Sequence, residues 1–314
     1  MKFNLMILSS ICCTLLYGNV LANKIKTLDE KNTATQEVFD AVEEGNLETI
    51  KSLIEDPYFK EILRKKDEKR RSVFEIAIQN GHDEVVKFLL DNTPRGTFNL
   101  NALTASHKPV LIIAVENGHD DVVETLLDHS AIPDAVDASA EGLQKTALIL
   151  ATEQNSYDMV SSLLNHKAKP NKKDIVGRTA LMIASRKGLT DIVKLLLEND
   201  ADPNLENTEK ETALSNAVEA VDVNIVKLLL ENGAKVSKQV LTYTEKINNQ
   251  KIINLLKKYR EEQKDKKLAN RIWNKLKGKK RKKTIMPADS DQTLYEENET
   301  DESEQTFDDS NDEE

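Results

Sequence analysis

The sequence predicts an all-α dominated solenoid, built of paired antiparallel helices with hairpin loops and followed by a basic helix and a disordered acidic tail. Three observations predict it. Hydrophobic residues make up 39% of the 314 residues, but aromatics only 4%, and there are ten glycines. That is too little aromatic bulk and turn glycine for a barrel or sandwich, and it suits a helical core of Leu, Ile, Val and Ala. Second, a five-position frame recurs six times between residues 41 and 230. Third, charge is blocked. Residues 23–256 hold 29 Lys/Arg against 38 Asp/Glu, 257–283 hold 14 against 3, and 284–314 hold none against 13. A single globular core does not divide its charge in this way.

The chain opens with a targeting segment. Lys2 supplies one positive charge, residues 3–17 an apolar stretch, and Val20 and Ala22 the small residues before a cut between Ala22 and Asn23. Residues 1–22 therefore read as a signal peptide, with an uncleaved anchor as the competing reading. The stretch is shorter than the roughly 20 residues of a spanning helix. Both cysteines, Cys12 and Cys13, lie inside it, without the small residues that a lipoprotein cleavage site needs. The mature chain is then free of thiols, so disulfides, thiolate chemistry and Cys-ligated zinc are excluded. The expected location is exported, secreted or periplasmic, in a bacterium. Lys outnumbers Arg 35 to 9, which suggests an A+T-rich genome. Residues 23–36 read as a linker.

The repeat follows. A small residue is followed four later by Gly or a stand-in, nine later by Val or Ile, and twelve and thirteen later by Leu or Ile. The frames start at Ala41, Ala77, Ala114, Ala151, Ala184 and Ala217, spaced 36, 37, 37, 33 and 33 residues apart. The alanine sits inside a first helix and lets a second helix approach closely. The glycine ends that helix, because a C-terminal cap favours positive φ. The Val/Ile and Leu positions form one apolar stripe on the second helix. Neither helix buries its face alone, so neighbouring repeats must stack. Ser72, Thr146, Thr179 and Thr212 precede the first helices as N-caps, while Pro109 forfeits the side-chain cap in the third repeat.

This pattern resembles the ankyrin-repeat family, with secreted bacterial members as the nearest kind. The fifth repeat carries the resemblance best: Gly177-Arg178-Thr179-Ala180-Leu181-Met182-Ile183-Ala184, Lys187-Gly188, Asp191 through Leu197, and Ala201-Asp202-Pro203-Asn204. Gly81-His82 and Gly118-His119 repeat the family's Gly-His pair. The Pro and His of its Thr-Pro-Leu-His stretch are replaced throughout, as by Ala180 and Met182. The resemblance spans residues 37–260, about six repeats plus a degenerate capping repeat built on Val240, Leu241, Ile247, Ile252, Ile253, Leu255 and Leu256. The excess length of the middle repeats is expected in 91–107 and 128–145, as long fingers or loops.

Beyond the repeats, 261–283 is expected to form a basic amphipathic helix with Leu268, Ala269, Ile272, Trp273 and Leu276 on one face. It could cover the open end of the last repeat, lie on an anionic membrane or partner groove as a peripheral contact, or order only on binding. The run 277–283 resembles a nuclear localisation signal and also suits nucleic acid, although nucleic acid is the disfavoured partner. Residues 284–314 are self-repelling and read as disordered. They hold Tyr295, and a glycosylation sequon at Asn298.

The chain shows none of the nucleophile-elbow, zinc-helix, phosphate-loop or dinucleotide motifs, so a non-enzyme without cofactor or metal is expected. His82 and His119 occupy equivalent places and are expected to satisfy backbone groups at their own loops. The resemblance instead implies a protein partner, met by the hairpin tips and the exposed side of the first helices, with the chain as a monomer. The positions so implied are Glu68, Lys69, Arg71 and Gln79; Ala105, Ser106, Lys108 and Glu116; Leu143, Lys145, Glu153 and Gln154; Ile175, Val176, Arg178, Arg186 and Lys187; and Glu209, Glu211 and Glu219. Ile175 and Val176 are the sharpest, as an apolar anchor within a basic rim of Lys172, Lys173, Arg178, Arg186 and Lys187. The alternative is that one of the two packs on the neighbouring hairpin. The functional expectation is an exported scaffold, acting on host proteins or remaining in the periplasm on an envelope protein.

Overall fold

The computed structural model describes residues 32–55, 58–139, 143–262 and 264. The signal segment with Ala22 and Asn23, most of the basic helix and the acidic tail lie outside the described residues. The chain divides into two compact units, Met1–Arg260 and Glu261–Glu314. Of the second, only Glu261, Glu262 and Lys264 are described.

The first unit is the stack of helix pairs. The described pairs are α1 (residues 32–43) with α2 (Leu47–Leu53), α4 (Val73–Asn80) with α5 (Asp83–Asn92), α6 (Val110–Glu116) with α7 (Asp120–Asp128), and α8 (Ala147–Glu153) with α9 (Tyr157–Asn165). They continue as α10 (Ala180–Lys187) with α11 (Thr190–Glu198), α12 (Ala213–Glu219) with α13 (Val223–Glu231), and α14 (Lys238–Ile247) with α15 (residues 250–260 of this unit). From α4 to α14 each first helix packs on the first helix of the next pair, and from α5 to α13 each second helix packs on the next second helix. Ala41, Ala77, Ala114, Ala151, Ala184 and Ala217 are all buried, which is what lets the helices close on one another. Val86, Leu89, Val123, Leu126, Val160, Leu163, Val193, Leu196, Val226 and Leu229 are buried opposite them, as the frame predicts.

The ends of the helices follow local chemistry. Ser72 accepts from Glu75 N while Glu75 accepts from Ser72 N, a reciprocal cap. Thr146, Thr179 and Thr212 each cap through their hydroxyls, and Pro109 does not. Gly81 and Gly188 end α4 and α10 at φ +77° and +74°. Asn155 and Val221 hold the same repeat position at φ +60° and +58°. Asn tolerates this region, but a β-branched side chain is strained there. Val221→Gly is expected to raise stability by about 0.5–1 kcal/mol, the relief of strain less the greater chain entropy of glycine. Thermal melting of the pair checks it.

Loops also join the repeats. Asn101, Asp134, Asn171 and Asn204 accept the backbone N–H of Ile132, Lys169, Asp202 and Lys235, at 2.8, 2.9, 2.8 and 2.8 Å. In the third repeat's long loop, Phe98 stacks on Phe74 with centroids 4.3 Å apart, and Leu100 is buried.

Two features depart from the sequence reading. Residues 32–36, read as linker, are already helical, and Ala34 and Val38 are buried in the core. A short helix α3 (Phe59–Ile62) also stands between the first two repeats. It takes up the extra length there and is held by buried Phe59, Ile62 and Leu63. Its four residues are too few to show helical periodicity.

Candidate recognition surface

The fingers that precede the first helices are built on short polar side chains. Asp67 Oδ1 accepts from Arg71 N at 2.7 Å, and Asp174 Oδ1 accepts from Val176 N and Arg178 N at 3.1 and 2.8 Å. Asn207 Oδ1 accepts from Glu209 N and Glu211 N at 2.9 and 2.8 Å, and Asp137 Oδ1 from Ser139 N at 2.9 Å. Burial opposes ionisation of Asp137 and of Asp67. Hydrogen bonds and a cation more than offset it in both, so each carboxyl lies below its ordinary value of 3.8. The cation is Lys108 for Asp137, beside the Ser139 bonds, and Arg71 for Asp67. These finger carboxylates and amides were not picked out from the sequence. Their signal was an Asp or Asn five residues before the cap, visible at Asp67, Asp174 and Asn207.

Adjacent fingers are tied by backbone. Ile175 N donates to Leu143 O at 3.0 Å, and Thr208 N donates to Val176 O at 3.1 Å. The side chains of Leu143, Ile175 and Val176 remain 42%, 58% and 38% exposed. Neighbour packing is thus carried by the main chain, and both Ile175 and Val176 stay open to solvent.

Along the exposed side of the first helices, a cation of the finger meets a polar partner on the helix. Lys108 meets Glu116 at 2.6 Å, Lys145 meets Glu153 at 2.7 Å, and Arg71 donates to Gln79 at 2.9 Å. Burial would lower the Lys108 pKa, but Glu116 and Asp137 outweigh it and hold the ammonium above its usual range. The same register in repeats five and six places Arg178 above Arg186 and Glu211 above Glu219, two like pairs. The pairing there runs within the finger and between repeats instead. Arg186 bonds Glu211 at 3.0 Å and lies 3.7 Å from Glu219, while Arg178 bonds Asp174 at 2.8 Å and lies 3.9 Å from Glu153.

The cations of the rim expected around Ile175 and Val176 each have a partner in the fold. Lys172 faces Asp134 at 3.5 Å, Lys173 donates to Glu206 O at 2.8 Å, and Lys187 donates to Glu153 O at 2.5 Å. With Arg178 and Arg186 also paired, every cation of that rim is engaged. Of the implied residues, Lys69, Arg71, Lys108 and Glu116 line one shallow depression between the second and third repeats. Glu153, Arg178, Arg186, Lys187 and Glu211 line another further along. Leu143, Lys145 and Glu209 line neither, and Glu209 is exposed at its finger.

The family model for ankyrin repeats in three copies matches residues 38–137, 111–207, 148–240 and 188–267. The chain belongs to the ankyrin-repeat family. Repeats of this family generally mediate protein–protein interaction as non-enzymatic scaffolds. No curated protein matches the chain. Among solved structures, it resembles a chain of the Bdellovibrio bacteriovorus complex of the predatory endopeptidase Bd0816 with immunity protein Bd3460. The identity is 30% and the TM-score 0.52, over 62% of this chain and 97% of that one. It also resembles the ankyrin domain of Bcl-3, described as a unique member of the IkappaB family, at 26% identity and TM-score 0.51, over 62% and 97% of the two chains. An Acinetobacter baumannii AYE ankyrin domain, at 22% identity and TM-score 0.54 over 59% and 96%, supports the fold alone.

The histidines of this ankyrin stack join repeats. His82 Nε2 contacts Glu43 O at 3.0 Å and His119 Nε2 contacts Gln79 O at 2.9 Å, each a carbonyl of the preceding repeat and not of its own loop. A Cβ on Gly45 or Gly81 would lie 2.5 or 2.6 Å from the His82 or His119 ring, so the glycine also makes room for the next repeat's histidine. Among the described residues, no cluster of three or more His, Cys, Asp or Glu could hold a metal, and no helix is long and apolar enough to cross a membrane.

On the second helices, His129 Nε2 meets Asp91 Oδ1 at 3.0 Å, and His166 Nε2 meets Asp128 Oδ1 at 3.2 Å. The Asp91 hydrogen bond raises the His129 pKa above 6.5. A raised folded value means that the tie stabilises fully below the unfolded value of 6.5 and is lost as pH rises through the folded one. The stability difference between wild type and Asp91→Asn is therefore expected to be larger in acid than in alkali. Melting of both across roughly pH 5 to 8 checks it. A difference that grows with pH would contradict the assignment.

Proposed function

We propose that the chain is an exported binding scaffold whose partner is a protein held through the finger tips at Leu143, Ile175 and Val176. The observation that carries the reading is the row of exposed apolar side chains on backbone-linked, carboxylate-braced fingers. A rigid tip of this kind presents apolar area at little ordering cost. Carboxylates meet Lys172, Arg178 and Arg186, while Lys173 and Lys187 donate to backbone carbonyls and keep their charge. The partner's matching spot is therefore expected to be apolar with a few acidic groups at its rim, and binding to weaken modestly with salt. The apolar segment at 3–17, with Val20 and Ala22 ahead of the proposed cut, supports export, and the reading covers either a secreted effector on host proteins or a periplasmic scaffold. The Bdellovibrio neighbour comes from a complex of an endopeptidase with an immunity protein, which favours a second reading in which the partner is an enzyme.

Changing Ile175 and Val176 together to Ser is expected to weaken partner capture by about 1–3 kcal/mol, the scale of one hot spot, with melting nearly unchanged. Full capture by the Ser pair would move recognition away from the tips. For export, N-terminal analysis of protein from its native host should begin at Asn23. Retained Met1 in the membrane fraction would refute cleavage.

A further inference from the structure

The stretch 64–71 has the opposite charge to the repeat region around it. It holds six cations, Arg64, Lys65, Lys66, Lys69, Arg70 and Arg71, against Asp67 and Glu68. Two of the cations are engaged: Arg71 bonds Asp67 at 2.8 Å and Lys65 donates to Thr35 at 2.7 Å. Arg64, Lys66, Lys69 and Arg70 are exposed, and none forms an ion pair with another described residue. The backbone that carries them is held in place. On one side α3 is anchored by buried Phe59, Ile62 and Leu63. On the other the finger is closed by a bridge between Lys66 and Ser72, and by Asp67 N to Arg71 O at 2.8 Å and Arg70 N to Asp67 O at 2.9 Å. Clustered like charges repel one another, so the fold gains nothing from gathering them.

We propose that this platform docks an acidic peptide segment of a protein partner, its carboxylates meeting Arg64, Lys66, Lys69 and Arg70. The fixed backbone spares a partner the cost of ordering the loop, and the charge match steers its approach. The surface continues into the depression of the second and third repeats, which Lys69 itself lines together with Arg71, Gln79, Ser106 and Asn117. The carboxylates of that depression are occupied, Glu75 by Ser72 N at 2.6 Å and Glu116 by Lys108 at 2.6 Å. A nucleic acid fits less well. Bases need exposed aromatic faces to stack on, and 64–71 has no aromatic residue. The acidic remainder of the repeat region would also repel a long polyanion. The surface is separate from the tips at Ile175 and Val176, so it stands or falls independently of them.

The test is titration of a fluorescent glutamate-rich peptide into the full-length chain, with carbodiimide cross-linking to map the contacted lysines. Cross-links are expected at Lys66 and Lys69. The combined variant Arg64→Gln, Lys66→Gln, Lys69→Gln and Arg70→Gln is expected to bind about tenfold more weakly, the joint loss of several exposed charge contacts. The Ile175→Ser, Val176→Ser variant should bind the peptide like wild type, and both variants should melt like wild type. Wild-type binding by the charge variant, or cross-links confined to the lysines of 277–283, would overturn the proposal. So would tighter binding of a single-stranded oligonucleotide that the charge variant loses, which would make the platform a nucleic-acid surface.

Discussion

Leu196→Ala is expected to destabilise the protein by about 2–5 kcal/mol. Leu196 is fully buried on α11. Its carbonyl also accepts the turn bond from Ala201 N at 3.0 Å, so the helix end is anchored at the same residue. Removing the side-chain atoms forfeits their transfer from water and leaves a cavity between stacked helices that rigid neighbours cannot fill. Because each repeat contacts only its neighbours, the loss should fall mainly on the repeats beside α11. Chemical denaturation of the two proteins measures it. A shift under roughly 0.5 kcal/mol, the size seen for surface changes, would place Leu196 outside the core and break the repeat frame.

Asp174→Ala is expected to cost about 2–4 kcal/mol and to loosen the finger that carries Ile175 and Val176. The Asp174 side chain is 0% exposed. It accepts from Val176 N, Arg178 N and Arg178 Nε, so its removal strands two backbone donors and one half-buried guanidinium. Asp174→Asn keeps an oxygen for the two amides and should recover part of the loss. Amide exchange at Val176 and Arg178 reads the local effect. Unchanged exchange and an unchanged denaturation midpoint in the Ala variant would show that the finger holds without this carboxylate.

Much of the fold was legible because its rules are short-range. The caps at Ser72, Thr146, Thr179 and Thr212, the glycine ends and the Val/Leu stripes each depend on residues within a turn or two, and period alone then requires stacking. Helix α3 was less legible because one turn is too short to show a period. The site was only partly legible. Ile175 and Val176 could be placed at a tip from the repeat register, and they are exposed there. Which cation faces which carboxylate could not be read, since Lys and Arg side chains reach several repeat positions.

The sequence by itself therefore determined the repeat, its helix ends and its buried stripes, because 3.6-residue periodicity and capping act locally. Only the tertiary structure decided the contacts between repeats: His119 on Gln79 O, His129 on Asp91, and Arg186 on Glu211. Those partners lie 25 to 40 residues apart and meet only once the stack sets their register. The same step set carboxylates against Lys172, Arg178 and Arg186 near Ile175 and left Arg64, Lys66, Lys69 and Arg70 without one. Charge on a surface is set by which opposite charge the fold brings within reach, and sequence distance does not encode that reach.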